Sequence, residues 1–363
     1  MTILAGVPRP LVSIVVNNYN YGRYLGRSIE SALAQTYPRM EVVAVDDAST
    51  DGSREVIRRY PRVVPVFKAE NGGQGSALNA GFLASHGDIV IFLDADDYLE
   101  PDAVAQVVAA WRPGTAKVQY RLAMVDGSGR TIDLFPPRDM RFESGDVVPL
   151  LLRRGRYQTA VMSGNAFARE VLQHIFPIPE AEFRISADGY LVTLAPLFGP
   201  VLSIEEPLGV YRMHDQNAWA RRESAAAERF RHSLLQDVNR YRALSTKAAE
   251  LGLRPPDDPG MHDWLHLENR ICSLCIDAAG HPLKPDRRAS LGLRGFEESW
   301  RDGTLRWTRR VMLAAWFLLV GLLPRRAALA LVVWRMAPNG RPRLLTALLR
   351  RVRGQQRHAP RVT

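Results

Sequence analysis

The stretch "IVIFLDADDYLEPD", residues 89–102, puts five carboxylates into nine positions: Asp94, Asp96, Asp97, Glu100 and Asp102. They follow directly behind a run of apolar, mostly β-branched residues. Carboxylates this close repel one another, so the arrangement asks for a positive partner. Asp94 and Asp96, alternating around Ala95, can aim two oxygen ligands at one hard divalent cation, whose remaining shell water and substrate phosphates would complete. The pattern therefore implies Mg²⁺ or Mn²⁺ carrying a diphosphate. Taken alone, an acidic turn ahead of a helix reads first as a capped or solvated loop, and its neighbours must decide.

Two more polar clusters end apolar runs in the same way. "EVVAVDDASTDGS" closes on Asp46 and Asp47, and "VSIVVNNYNYGRYL" closes on amides and tyrosines, of which Asn17 and Tyr19 can hydrogen-bond and stack on a base. The runs "LVSIVV", "EVVAV", "VVPVF" and "DIVIFL" lack polar alternation, as parallel strands covered on both faces should. Between them Leu25, Ile29 and Leu33, and then Leu78, Gly81, Phe82 and Ser85, recur at helical spacing. This βαβ series predicts an α/β sheet with right-handed crossovers. Ligands of such sheets bind beyond the carboxyl ends of the strands, which is where the three polar clusters fall. Pro101 is expected to open the next helix, over "DAVAQVVAAW". From residue 117 the pattern alternates, with Val118, Tyr120, Leu122 and Met124 facing one way and "DGSG" before "RTIDLF", which predicts an antiparallel excursion. A long amphipathic helix is expected from about Glu223 to Leu251, ended by Gly252 and "PPDDPG".

The ordered motifs "NNYNYGRYL", "VDDASTDGS", "NGGQGSALNAG" and "GDIVIFLDADDYLEPDAV" resemble the family 2 glycosyltransferases. "SGNAFAREVL", "ISADGYL" and "EEPLGVYRMH" continue the likeness more loosely, so that it covers roughly residues 10–215. The resemblance implies a GT-A fold, a Rossmann-like mixed sheet flanked by helices, followed here by an α-helical C-terminal extension. It implies an inverting transfer from a nucleotide-diphosphate sugar to a hydroxyl acceptor, with Mn²⁺ or Mg²⁺ as cofactor. Position by position, Asn17, Tyr19 and Asp47 would hold base and ribose, while Asp94 and Asp96 would contact the ribose and the cation. Asp97 would orient the turn. Asn71 and Asn79 would belong to a segment closing over the nucleotide, in which Gly72 and Gly73 permit close backbone approach or form a plain turn.

Asp188 falls where the family places its general base, although Ala187 replaces the second acid often found before it; Asp188 is otherwise a helix N-cap. His214 resembles a histidine that in some members helps hold the cation or diphosphate, with Arg212 assisting, and is otherwise a surface loop histidine. Ser163, Gly164 and Asn165 would line the acceptor side, unless Asn165 caps a helix over "AFAREVL". The Q-x-x-R-W motif and multiple spanning helices of processive synthases are not found, which favours addition of a single sugar. The acceptor would be a glycan or glycolipid, such as a lipid-linked or surface-polysaccharide intermediate. The rival expectation is a non-catalytic nucleotide-sugar-binding module serving as a membrane-bound assembly partner.

The 363 residues exceed one ordinary core, and four parts are expected. Residues 1–111 form the nucleotide-sugar half of the GT-A domain, 112–220 the acceptor half, 221–280 a helical segment and 281–363 a basic amphipathic region. With 46% hydrophobic and 24% charged residues the chain is not broadly disordered. Its net charge of +10 is local: residues 281–363 hold 18 Lys or Arg against 4 acids, and residues 1–280 hold 30 against 34. No nucleic-acid module accompanies the arginines, so nucleic acid is not expected as a partner. Cys272 and Cys275, three apart, read as two reduced core cysteines. No signal peptide is read at the N-terminus, so a cytoplasmic location is expected, and the C-terminal region adds the expectation of the inner face of the cell membrane.

That last placement rests on residues 311–334, "VMLAAWFLLVGLLPRRAALALVVW". The uninterrupted 13 residues before Pro324 fall short of the roughly 20 that a spanning helix needs. Flanking Arg309, Arg310, Arg335, Arg341 and Arg343, with Trp307, Trp316 and Trp334, fit either a helical hairpin in an anionic interface or a buried helical pair with a basic rim.

Overall fold

The computed structural model describes residues 9–214, 226–255, 257–303 and 305–336. They divide into two compact units, one built from the chain up to His214 with Leu235–Asp263, the other from Ala226–Leu234 and from Trp264 onward.

In the first unit the strands β1 (Val12–Asn18), β2 (Met40–Asp46), β3 (Val63–Phe67) and β4 (Ile89–Asp94) alternate with helices α1 (Gly22–Leu33), α2 (Ser53–Arg58) and α3 (Gln74–Ala84). The chain then runs through β5 (Tyr98–Leu99), α4 (Ala103–Ala110), β6 (Lys117–Val125), β7 (Thr131–Phe135), α5 (Val148–Arg154), β8 (Asn165–Ala168), α6 (Arg169–Ile175), α7 (Ala187–Leu194) and β9 (Val201–Arg212). Among the described residues these strands form one nine-stranded sheet of order β3-β2-β1-β4-β8-β6-β9-β5, with β7 beside β6. β1 to β4 are mutually parallel, β8 runs antiparallel to both β4 and β6, and β6 and β9 are parallel, so the sheet is mixed.

Successive residues of the parallel strands feed opposite faces, as the two-residue period of a strand requires. Val15, Val90 and Phe92 enter the core under α3, α6 and α7, whereas Ile14, Val16, Ile91 and Leu93 enter the core under α1 and α4. Both faces of β1, β2 and β4 are largely dry, which is why these strands read as apolar runs. Pro65 lies in β3 because β3 is an edge, where a missing ladder N–H is tolerated. α3 crosses β1 and β2 at Gly81, where a Cβ would come within 2.3 Å of Val15 Cγ1.

Two expectations change. α4 begins at Ala103, and Pro101 precedes it in a turn whose carbonyl accepts the Thr36 N–H. Asn165 caps no helix; it opens β8, and α6 starts only at Arg169. The short "NAFA" run becomes a strand because it fills the gap between β4 and β6, a tertiary demand that outweighs its helical pattern. The long helix α8 spans Ala226–Glu250; residues 223–225 lie outside the described residues.

The second unit contains α9 (Trp264–Ile276), α10 (Arg288–Arg301), α11 (Trp307–Leu322) and α12 (Arg325–Met336). Cys272 and Cys275 are free and buried in α9. α11 and α12 are the two arms of the apolar hairpin, parted at Pro324; Arg341 and Arg343 lie outside the described residues. Gly292 and Gly321 allow α10 and α11 to touch through their backbones. No helix of the described residues is long and apolar enough to cross a membrane.

Candidate active site

The parallel register sets the ends of the central strands level, pairing Asn17 with Asp94 and Asn18 with Asp46. Beyond them opens a cavity of about 380 Å³. Its walls include Asn17 near the end of β1, Tyr19 and Tyr21 after it, Asp47 after β2, and Asn71, Gly73 and Gln74 at the start of α3. Asp94, Ala95 and Asp96 follow β4, Arg184, Ser186 and Asp188 lead into α7, and Tyr211 comes from β9.

Asp94 accepts hydrogen bonds from Asn17 Nδ2 at 2.9 Å and Gln74 Nε2 at 3.4 Å. Burial, and then the neighbouring Asp96 charge, still push its pKa up to about 7, with Asp188 adding to the same effect. Asp96 Oδ2 lies 3.0 Å from His214 Nε2, and the imidazole stacks on the Tyr24 ring at 4.8 Å. His214 is thus no surface histidine: its side chain is 4% exposed. Arg212 Nε donates to the Asp96 carbonyl at 3.1 Å.

Asp97 turns inward, accepting the Ser163 hydroxyl at 2.6 Å and the Arg212 N–H at 3.0 Å. Burial, then Asp96 and Asp94, raise its pKa well above the carboxylate range. Ser163 Oγ also accepts the Asp94 N–H at 3.1 Å, so one hydroxyl fastens the acidic turn at two points.

Asp188 lies in the first turn of α7, whose cap position is taken by Ser186 in the left-handed region at φ 60°. Burial raises the Asp188 pKa, against the lowering influence of the Gly189 N–H and Arg240. A carboxylate tuned upward in this way is a better proton acceptor near neutrality.

Asp47 is buried and pairs with Lys68, and its oxygens accept the N–H groups of Gly72 at 3.0 Å and Gly73 at 2.7 Å. Asn71 donates to the Asp47 carbonyl, and the Arg184 guanidinium donates to the Asn71 carbonyl and side-chain oxygen. Gly73, at φ 84°, approaches residue 184 so closely that a Cβ would lie 2.4 Å from the Arg184 carbonyl oxygen.

The structure thus brings Asn17, Tyr19, Asp47, Asn71, Asp94, Asp96 and Asp188 to one cavity, with His214 bonded to Asp96. Five expected residues do not line its wall, of which His214 reaches it through its bond to Asp96. Asn79 faces away, exchanging hydrogen bonds with the Ile178 backbone and Glu180. Ser163 and Asn165 are fully buried, and Gly164 packs where a Cβ would meet Ala160 and the Tyr120 carbonyl. Their segment holds the acidic turn from behind; Val161 alone of that region lines the cavity. Gln74, Lys68, Arg184 and Tyr211 were not anticipated. Gln74 also accepts the Ala187 N–H at 2.9 Å, linking Asp94 to the helix of Asp188. A lone amide behind glycines gives no sequence signal.

No three His, Cys, Asp or Glu side chains converge into a metal cluster among the described residues. The donors nevertheless suit a hard cation that takes much of its shell from substrate. Asp94 and Asp96 both face the cavity, and the Asp96 charge raises the Asp94 pKa, as crowded carboxylates do where a cation would fit.

The family model described as Glycosyl transferase family 2 matches residues 13–176. An uncharacterized glycosyltransferase of Nostoc sp. is 38% identical over 224 residues, 60% of this chain and 69% of the relative. The chain belongs to glycosyltransferase family 2. A family 2 chain of this kind is a glycosyltransferase, and its fold is GT-A. A chondroitin synthase of Pasteurella multocida is 46% identical over 99 residues, 26% of this chain and 10% of that much longer protein. The fold is shared by a solved mannosyltransferase of Pyrobaculum calidifontis in complex with GDP-Man and Mn²⁺, 20% identical, with a TM-score of 0.50 over 90% of this chain and 85% of that one.

Proposed function

We propose that this glycosyltransferase transfers a single sugar from a nucleotide-diphosphate donor to a hydroxyl of a glycan or glycolipid acceptor, inverting the anomeric centre, with Mn²⁺ or Mg²⁺. The observation that carries the reading is the grouping of Asp94, Asp96 and Asp188 on one cavity, two of them with raised pKa. In this reading Asn17, Tyr19, Asn71 and Asp47 hold base and ribose, Tyr19 being 43% exposed and available to stack. Asp94 contacts the ribose. Asp188 takes the proton of the acceptor hydroxyl as its oxygen attacks the anomeric carbon, opposite the departing nucleoside diphosphate. Asp96, with His214 next to it, would hold the cation, which when bound supplies positive charge to the diphosphate as it leaves. The polysaccharide-synthase relative and the mannosyltransferase solved with GDP-Man and Mn²⁺ support the acceptor and cation classes.

The test is nucleoside diphosphate release from UDP-, GDP- and dTDP-linked sugars with Mn²⁺ or Mg²⁺ and a cellular glycan extract. Asp188→Asn is expected to lower kcat by about a hundredfold to ten-thousandfold while donor binding persists. Asp96→Asn should abolish stimulation by the cation. Unchanged turnover in both variants would falsify the assignment.

A further inference from the structure

From Val311 to Leu322 helix α11 contains no polar residue. A helix apolar on every side is normally buried on every side. α11 is not. Leu313, Phe317 and Val320 pack inside the second unit, while Val311, Met312, Leu319 and Leu322 on the opposite side are 39–66% exposed. Twelve residues at the helical rise make about 18 Å, well short of the roughly 30 Å hydrocarbon layer, so this surface cannot be a span.

The charge along its own stretch of chain has one sign. From Gly303 to the end of the chain there are 13 Arg and no Asp, Glu or Lys. Arg306 and Arg309 are exposed at one end of α11, and Arg325 and Arg326 just beyond the other. Trp307, 64% exposed, marks the polar entry of the helix, where an indole favours the headgroup level. An apolar strip with basic residues at both ends and an aromatic anchor suits a helix lying in the plane of an anionic lipid surface. A second copy of the chain fits less well, because a symmetric pairing of this face would juxtapose its arginines with no acid on α11 or α12 to balance them.

We infer that the outward face of α11 docks the protein in plane on an anionic membrane, Leu319 and Leu322 entering the acyl boundary and the flanking arginines meeting lipid phosphates. The full chain is expected to co-sediment with vesicles of phosphatidylcholine and phosphatidylglycerol, weakly with phosphatidylcholine alone, and less as salt rises. Leu319→Glu combined with Leu322→Glu changes exposed positions only and should weaken partitioning by at least about tenfold, with the melting temperature retained. Arg306→Gln with Arg309→Gln should remove much of the salt-sensitive part. No binding by the native chain, or native-like binding by the leucine double variant, overturns the inference. So does a native dimer that this variant turns into monomers, because the face would then belong to a second copy.

Discussion

Two strand ends of the same sheet are acidic, and they are handled in opposite ways. After β2, Asp46 accepts hydrogen bonds from Arg54 Nε at 2.8 Å, Asn18 Nδ2 at 3.0 Å and the Ser49 N–H at 3.1 Å, and Asp47 has Lys68 and two loop N–H groups. After β4, Asp94 has two amides, Asp96 has His214, and Asp97 has a hydroxyl and a backbone N–H. The first end is charge-balanced, and its aspartates also shape the loop leading into α3, beside the donor role proposed for Asp47. The second buries and crowds its carboxylates, which shows in the raised pKa of Asp94 and Asp97. Sequence displays both as paired aspartates; what separates them is where the cations of the fold come to rest.

The contrast is broken most forcefully at Lys68. Its side chain is 17% exposed and that of Asp47 is 2% exposed, so Lys68→Met leaves a buried carboxylate without its cation. A cost of about 3 kcal/mol in unfolding free energy is expected, read by denaturant titration. Asp94→Asn, which removes one of the crowded charges after β4, should leave the metal-free protein as stable or more stable at alkaline pH. Equal losses in the two variants would erase the distinction between the ends.

pH sharpens the same comparison. The folded pKa of Asp94, about 7, stands above its unfolded value, so the folded state holds the proton more tightly. Stability from this source is fully present below about pH 4 and is lost as pH rises through about 7. Chelated protein should therefore lose on the order of 2 kcal/mol between about pH 5 and about pH 8, followed by thermal melting, once partial solvent screening is allowed for. Added Mn²⁺ is expected to return much of the loss at the alkaline end. A loss identical in Asp94→Asn would assign it to other groups.

Much of this was legible beforehand, and the misses have physical causes. β1, β2 and β4 showed themselves because a strand covered on both faces reads as an unbroken apolar run, and the edge strand β3 by its β-branched residues. Asp94, Asp96, Asp47 and Asp188 followed from the strand-end rule and the family motifs. β8 was hidden because its four residues become a strand only between β4 and β6, a relation 40 or more residues distant in sequence on each side. Asn79 misled because an amide in a motif looks the same whether it faces the cavity or holds Ile178 and Glu180. Ser163 was assigned to the acceptor side, whereas its hydroxyl serves Asp97 and the Asp94 N–H from behind. Lys68 carries no motif; its partner is set by how the chain returns from β3 past Asp47.

Gln74 offers the finest test, because one amide joins the two carboxylates to which the proposed mechanism gives different tasks. Its Nε2 donates to Asp94, and its Oε1 receives the N–H of Ala187, the residue before Asp188. Gln74→Leu removes both contacts, and with neutral hydrogen bonds contributing about 1 kcal/mol each, a loss of about 2 kcal/mol in fold stability is expected together with a fall in kcat of about tenfold. Gln74→Glu keeps an oxygen for the Ala187 N–H but sets a third charge against Asp94. Its expected signature is a rate profile displaced to higher pH, because the added charge makes Asp94 harder to ionise. If the Glu variant merely loses rate with the native pH profile, Gln74 acts only by holding α7, and the crowded charge after β4 does not reach as far as the start of α3.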